Sequence, residues 1–233
     1  MRYQYGAILI PLEDSIAMSV KSLGLVFEAK ILKRLFDIFC SLFFIIISAP
    51  VMLFVALAIF LEDRRKPFFI QERVTSDNNK FKLIKFRSMK IDAEDITGAV
   101  WAANDDHRIT KVGKIIREVW LDELPQFFNV LKGDMSIVGP RPERPELIDK
   151  FVKTIPEFKL RTKIKAGITS YAQVLTGYNT LTENKLKLDL IYIDRWSFIF
   201  DLLIMIETVR VIFVKFMSLF FTIKEPVKFK LKK

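Results

Sequence analysis

The sequence is poor in the side chains from which disulfide frameworks and zinc sites are built. Its 233 residues include one cysteine, Cys40, and one histidine, His107. A single cysteine cannot form an internal disulfide, and a zinc finger or a two-histidine zinc motif needs more ligands than this pair supplies. The patterns GxxxxGK(S/T), GxGxxG and GxSxG are also absent, which excludes the common nucleotide-cradle and hydrolase signatures.

Acidic residues are outnumbered as well. There are 27 acidic and 37 basic residues, and the formal net charge is +10. A basic balance favours a polyanionic partner, which could be nucleic acid, an anionic membrane surface or a phosphorylated substrate. The chain also carries 22 phenylalanines, many of them in long uncharged runs that soluble nucleic-acid binders rarely have. We therefore expect no nucleic-acid partner and a protein associated with membrane lipids.

One apolar run, Ile38–Leu61, carries no formal charge. As a helix it would measure roughly 36 Å, enough to cross a ~30 Å hydrocarbon core. A single transmembrane span is one interpretation. Pro50 near the midpoint, and basic residues on both flanks, favour a helix that is broken at Ser48 and Pro50 and that enters and leaves on one face. In that case the Ser48 hydroxyl could bond a backbone carbonyl freed near the break.

The residues after this run predict an α+β domain that is mainly helical. Two short strands around a polar turn predict a β-hairpin, over 68–74 and 81–87. Apolar residues at helical spacing predict three helices, over 112–119, 124–131 and 145–154. A loop or short helix is predicted over 92–106, and loops over 133–142 and 167–169.

Residues 186–221 are apolar but are punctuated by charged residues, so no second membrane span is predicted. Helices lying at the membrane interface are one interpretation, with Tyr192 and Trp196 at the level of the headgroups. An amphipathic helix packed on its own domain is the alternative. The basic tail at 223–233 could attract anionic lipid.

Two adjacent carboxylates are the first candidates for chemistry. Asp122 and Glu123 lie between apolar residues and follow a basic stretch that ends at Arg117. Adjacent positions on a helix point in different directions, so two separate roles are more plausible than a shared proton. The alternative is an acidic first turn of the following helix, which the helix dipole favours.

Basic side chains supply the second set of candidates. Arg141 stands between two prolines on a stiff stretch, and a guanidinium fork can bind a phosphate bidentately, although an ordinary ordered loop would look the same. Lys85 and Arg87 are two residues apart and would share one strand face, either as ligands or as a solvated basic face. His107 is expected to be a surface histidine. Carboxylates and arginines on a membrane domain fit metal-assisted phosphoryl chemistry on an anionic substrate.

Six blocks of sequence then resemble a known family. They are KRLFDI (33–38), FKLIKFRSM (81–89), RITKVGKIIR (108–117), LDELPQFFNVLKGDMSIVGPRPE (121–143), KAGITSYAQV (165–174) and LDLIYIDRWSFIFDLLIM (188–205). With the proline-containing apolar run, this series resembles the bacterial sugar transferases, which are monotopic polyprenyl-phosphate phosphoglycosyl transferases. The resemblance covers about residues 33 to 215, and the block at 121–143 is highly specific.

The resemblance implies transfer of a sugar 1-phosphate from a nucleotide diphosphate sugar, expected to be a UDP-sugar, to undecaprenyl phosphate. It implies a re-entrant membrane helix, a Mg²⁺ requirement and a site on the cytoplasmic face of the bacterial inner membrane. Asp122 matches the nucleophile of the family, which forms a phosphoaspartyl-sugar intermediate and is the position expected to meet the metal. Glu123 matches the second acidic member. The expected substrate-binding residues are Arg117, Arg141, Lys85 and Arg87.

Two departures from the family pattern concern Ala49, where relatives often have serine directly before the proline, and Tyr178, where relatives often have arginine.

The expected organisation is an appendage (1–30), the membrane helix and its flanks (31–66), a catalytic domain (67–222) and a basic tail (223–233). Such an enzyme would initiate a polysaccharide or glycoconjugate, including exopolysaccharide or lipopolysaccharide. The alternative functions are a one-step transferase and an inactive membrane scaffold. Whether the protein forms a homodimer is left open.

Overall fold

The described part of the chain consists mainly of helices, with two small two-stranded sheets. A computed structural model describes residues 27–91, 93, 106–176 and 181–218. Most of the predicted appendage, most of the segment 92–106, Tyr178 and the basic tail lie outside the described residues. The elements are α1 (Phe27–Asp63), β1 (Phe68–Val74), β2 (Lys80–Phe86), α2 (Lys111–Glu118), α3 (Gln126–Lys132), β3 (Ser136–Val138), α4 (Pro145–Thr154), β4 (Gly167–Thr169), α5 (Tyr171–Leu175), α6 (Thr182–Asp194) and α7 (Phe198–Ser218).

Helix α1 is long and apolar enough, by length and composition, to cross a membrane. Its outer face exposes large hydrophobic side chains, among them Phe39, Ile46 and Phe54. The helix is not interrupted at Pro50, and a bend there stays a prediction. The Ser48 hydroxyl donates to the carbonyl of Phe44 at 2.6 Å, and not to the Ile46 carbonyl that loses its donor at Pro50.

The beginning of α1 is fixed to the domain by charged side chains. The Lys33 ammonium lies 2.5 Å from the Asp201 carboxylate of α7. Arg34 donates to the carbonyls of Val130 and Leu131, at 2.7 and 2.8 Å, and so satisfies the last turn of α3. The buried Asp37 accepts from the hydroxyl of Ser136 and the backbone N–H of Ile137.

The end of α1 is fixed to the same domain. The Glu62 carboxylate accepts from the backbone N–H of Lys111 at 2.8 Å, at the N-terminus of α2, where the helix dipole favours a negative charge. Asp63 receives two hydrogen bonds from the Arg87 guanidinium, at 2.5 and 2.7 Å. Both ends of a helix roughly 55 Å long are therefore attached to one domain.

The predicted hairpin is confirmed, with β1 and β2 antiparallel and Phe68 opposite Phe86. The predicted loop at 167–169 is wrong, since Gly167–Thr169 is β4 and pairs in parallel with β3. Strands of three residues are too short to show alternation in the sequence. The backbones of these two segments approach so closely that a Cβ on Gly167 would lie 2.1 Å from the backbone nitrogen of Gly139.

The interfacial interpretation is wrong for α6, because Leu186, Leu188, Leu190 and Tyr192 are buried in the core. The Tyr192 hydroxyl donates to Asp201 and so does not lie at the headgroup level. The alternative, a helix packed on its own domain, is confirmed there. Helix α7 differs, since it exposes a row of large apolar residues: Ile199, Leu203, Ile206, Val209, Phe213 and Phe216.

Asn129 of α3 joins the helical layer to the hairpin. Its buried amide donates to the carbonyl of Lys82 at 2.8 Å and accepts from the N–H of Ile84 at 3.0 Å, which satisfies the edge of β2 that faces away from β1. Asn129→Ala should lower the free energy of unfolding by about 2–4 kcal/mol, because two backbone groups lose their partners. Thermal unfolding of the purified protein measures this. Asn79→Ala, at an exposed turn position, is the control, and equal midpoints for the two variants would contradict the assignment.

Candidate active site

A single helical turn, Leu121–Glu123, presents the two predicted carboxylates between α2 and α3. Trp120, just before it, has a left-handed backbone with φ of 58°, which is uncommon for a residue with a bulky side chain. Pro125, two residues after it, occupies the N-cap position of α3. Asp122 and Glu123 are both buried, with 9% of each residue exposed. Backbone strain of this kind is typical of functional sites.

Glu123 is clamped by the predicted phosphate ligand Arg141. The Arg141 guanidinium donates to both carboxylate oxygens, at 2.5 and 3.3 Å. This two-pronged geometry is the one that a guanidinium also offers to a phosphate. Arg141 itself is half-exposed, so the pair lies at the edge of the site.

Asp122 lies in a mixed electrostatic field. Burial, and then the negative charge of Glu123, raise the pKa of Asp122 to about 6, while Lys85, Arg117 and Arg141 act in the opposite direction. A carboxylate with this pKa is ionised at neutral pH and can act as a nucleophile. The two acidic residues therefore have different surroundings, in line with separate roles.

Of the two predicted cations on this strand, Lys85 lowers the pKa of Asp122, whereas Arg87 bonds a different carboxylate. Burial lowers the pKa of Lys85 to about 8, and the negative charge of Asp122 is the main opposing effect. The Lys85 ammonium also lies 5.2 Å from the centre of the Phe69 ring. Arg87 bonds Asp63 and the carbonyl of Lys66, so it ties the hairpin to α1.

Arg117 and His107 occupy different environments. Arg117 lies in the last turn of α2. Its Nη1 lies 3.5 Å from the Ser88 hydroxyl, and its charge lowers the pKa of Asp122. His107 is exposed, as expected of a surface histidine. The structure thus brings Asp122, Glu123, Lys85, Arg117 and Arg141 together.

A buried network behind Arg141 was not predicted. Arg161 bonds the fully buried Asp189 at 2.6 Å and donates to the carbonyl of Arg141 at 3.0 Å. Arg73 donates to the next carbonyl, that of Pro142, at 3.2 Å, and its guanidinium lies 3.8 Å from Glu143. The sequence feature that could have revealed this network is Asp189 within the apolar stretch of α6, because a charged residue in such a position is usually paired.

The donor set fits a magnesium ion that a substrate would help to bind. The described residues contain no group of three or more His, Cys, Asp or Glu side chains that could hold a metal. Mg²⁺ is often held by one or two carboxylates together with water and substrate phosphates. Because the Glu123 carboxylate is bonded to Arg141, Asp122 is the carboxylate that fits this role.

The site-bearing turn lies between the two most apolar helices. Leu121 and Leu124 pack in a cluster with Val55 and Ile59 of α1. On the other side, the Trp120 ring lies 4.7 Å from the Lys215 ammonium of α7. The two carboxylates and the cations around them therefore lie beside apolar helices.

Comparison with known proteins identifies the family. The profile of the bacterial sugar transferase family matches residues 28–215. The chain therefore belongs to this family, which confirms the resemblance read from its sequence blocks.

Three curated relatives illustrate the similarity. UDP-N-acetylgalactosamine-undecaprenyl-phosphate N-acetylgalactosaminephosphotransferase of Aeromonas hydrophila is 42% identical over 188 residues, which cover 79% of this chain and 44% of that protein. A putative undecaprenyl-phosphate N-acetylgalactosaminyl 1-phosphate transferase of Bacillus subtilis is 49% identical over 130 residues, or 56% of this chain and 72% of that protein. UDP-glucose:undecaprenyl-phosphate glucose-1-phosphate transferase of Klebsiella pneumoniae is 39% identical over 210 residues, or 88% and 43%. The chain thus spans less than half of the Aeromonas and Klebsiella proteins.

The Arg161–Asp189 pair offers a test of the network behind Arg141. Arg161→Met should lower the free energy of unfolding by about 3–5 kcal/mol, because it leaves a buried carboxylate without its partner. The double variant Arg161→Met/Asp189→Leu should recover part of that loss, since neither charge then remains. Unfolding midpoints of both variants and of the wild type measure this.

The matched control is an exposed ion pair. Lys80 and Glu72 lie 2.9 Å apart with both side chains more than half exposed, so Glu72→Gln should change stability little. A double variant no more stable than Arg161→Met would contradict the account of the buried pair.

Proposed function

We propose that this chain transfers a sugar 1-phosphate from a nucleotide diphosphate sugar to undecaprenyl phosphate, through a covalent intermediate on Asp122. The observation that carries the proposal is the setting of Asp122, a buried carboxylate with a pKa near 6 under the influence of three cations. The names of the relatives support the acceptor and the type of reaction. The donor is expected to be a UDP-sugar.

The first step forms the intermediate. A carboxylate oxygen of Asp122 attacks the phosphorus bound to the sugar, the bond to the bridging oxygen breaks, and the nucleoside monophosphate leaves with the electron pair. Lys85, Arg117 and Arg141 bind the donor phosphates and offset the negative charge of the two acidic residues. Mg²⁺ held at Asp122 would neutralise diphosphate charge.

The second step regenerates the carboxylate. An oxygen of the acceptor phosphate attacks the same phosphorus, and Asp122 leaves with its electron pair to give a lipid-linked diphosphate sugar. A dianionic acceptor phosphate needs no base. Two steps suit this exchange because the donor is soluble in water and the acceptor is held in a membrane, so the two need not meet at once.

The attachment of both ends of α1 to one domain supports a re-entrant helix. If α1 crossed the bilayer, one of its ends would lie on the far side from the domain that binds it. The residue pairs Lys33–Asp201 and Asp63–Arg87 bind opposite ends. The domain then lies on the cytoplasmic face of the inner membrane, where nucleotide sugars are available, and the reaction initiates an exopolysaccharide or a related glycan.

The test is nucleoside monophosphate release without acceptor. Purified wild-type protein, free of undecaprenyl phosphate and supplied with UDP-N-acetylgalactosamine or UDP-glucose, should release one equivalent of UMP per enzyme, because the first step proceeds alone. A one-step transferase would release none until undecaprenyl phosphate is added, and an inactive scaffold would release none in either case.

The pH dependence of this release follows from Asp122. Because its pKa is raised to about 6, the carboxyl is protonated and inactive at lower pH, so the single-turnover rate should fall below pH 6 and drop roughly tenfold by pH 5. Lys85→Met should move the midpoint to higher pH, because it removes a cation that lowers this pKa. Rapid-quench measurements between pH 5 and 8 give both midpoints.

Two substitutions frame that profile. Asp122→Asn keeps the shape without the attacking charge and should reduce the rate by on the order of 10⁴ or more. Asp77→Asn, at an exposed turn with left-handed backbone that asparagine tolerates, should leave it unchanged. Wild-type release by Asp122→Asn would rule out the covalent assignment.

A further inference from the structure

Lys215 reaches the catalytic carboxylates from the far end of the chain. It lies in the last turn of α7, and its ammonium is 4.7 Å from the centre of the Trp120 ring, next to the site-bearing turn. Burial lowers the pKa of Lys215, while the charges of Glu118, Glu123 and Asp122 raise it, so these carboxylates are near enough to act on it. The proposed two-step reaction assigns no role to this lysine.

The helix that carries Lys215 differs from the elements that carry the other cations. Lys85 lies on the hairpin, Arg117 on α2 and Arg141 on the loop after β3. Helix α7 instead exposes a row of large apolar side chains, and the last of them, Phe216, directly follows Lys215 in sequence and is 47% exposed. Lys215 is half-buried with its ammonium beside the Trp120 ring, so it lies at the border between this apolar helix and the site-bearing turn.

The opposite side of the site-bearing turn is also apolar. Leu121 and Leu124 pack against Val55 and Ile59 of α1, whose outer face is exposed along its length. The turn that carries Asp122 is therefore in contact with both apolar helices, a setting that suits a ligand with a hydrocarbon chain. A ligand that is soluble in water has no need of such a setting.

A lipid-borne phosphate matches both properties of this border. Its chain is stabilised by apolar surface, and its anionic head would be repelled by Glu123 and by the phosphate carried on Asp122 unless a further cation lay beside them. A lysine can keep its stem on apolar groups while its ammonium reaches a polar site. We infer that Lys215 binds the phosphate of the lipid acceptor and places it for the second step. This inference rests on the proposed function.

The experiment separates the two steps in the full chain held in lipid nanodiscs. The measurements are UMP release without acceptor, the KM for the UDP-sugar and the KM for undecaprenyl phosphate. Lys215→Met keeps an unbranched side chain and removes the charge, so it should raise the acceptor KM about tenfold or more and leave UMP release and the donor KM within twofold. Lys215→Arg, which retains a phosphate-binding cation, should keep the acceptor KM within a few-fold of wild type.

Arg210→Gln, on the same helix and paired with Glu207, is the matched control and should behave as wild type in all three measurements. An unchanged acceptor KM in Lys215→Met would overturn the inference, as would an equal loss in UMP release, which would make Lys215 a donor ligand or a packing residue. Weaker membrane association with an unchanged acceptor KM would assign it to lipid headgroups and overturn the inference too.

Two further outcomes are distinguishable. If Lys215→Met does not fold, the arginine variant decides, and a tenfold rise of its acceptor KM in folded protein would count against a phosphate-binding cation. If wild-type protein releases no UMP from any donor, the proposed function itself fails, whatever the variants do.

Discussion

The attachment of both ends of α1 to one domain is the constraint on which the position of the site depends. At the first end, the Asp201 carboxylate is buried among Lys33, Tyr192 and Trp196, all of which bond it. At the second end, Arg87 is buried against Asp63. Separating either pair would leave a buried charge without its partner, which is far more costly than loss of an exposed ion pair. The helix and the domain therefore act as one unit, and lipid is the natural cover for the apolar outer face of α1.

This unit places a charged site beside apolar surface. The turn with Asp122 and Glu123 is packed against α1 through Leu121 and Leu124, and faces α7 through Trp120. Arg161, paired with the buried Asp189, donates to the backbone carbonyl of Arg141. The position of the guanidinium that binds Glu123 is therefore fixed by the core. Burial and the charge of Glu123 raise the pKa of Asp122 only to about 6, because nearby cations oppose them. The same carboxylate can thus be partly desolvated and still ionised at neutral pH.

Much of this arrangement could be predicted from local sequence, and the rest depends on tertiary contacts. The hairpin and α4 have clear patterns, and the adjacent carboxylates stand out between apolar residues. The different roles of Lys85 and Arg87 could not be predicted, because Arg87 is hydrogen-bonded to Asp63, which lies in a distant helix. Strands β3 and β4 are too short for a pattern. Residues 188–193 of α6 are all buried, so their apolar run resembled an interfacial helix. The position of Lys215 beside Trp120 could not be predicted, because it depends on how α7 packs on the domain.

The topology of α1 tests the account most directly. In a Cys40→Ser background, single cysteines are placed at Ser15, before the helix, and at Asn79, in the exposed turn of the hairpin. If α1 enters and leaves on one face, an impermeant thiol reagent should label neither site in intact cells and both after permeabilisation. Labelling of the Ser15 site alone in intact cells would show that α1 crosses the membrane. That result would contradict the attachment of both of its ends to one domain.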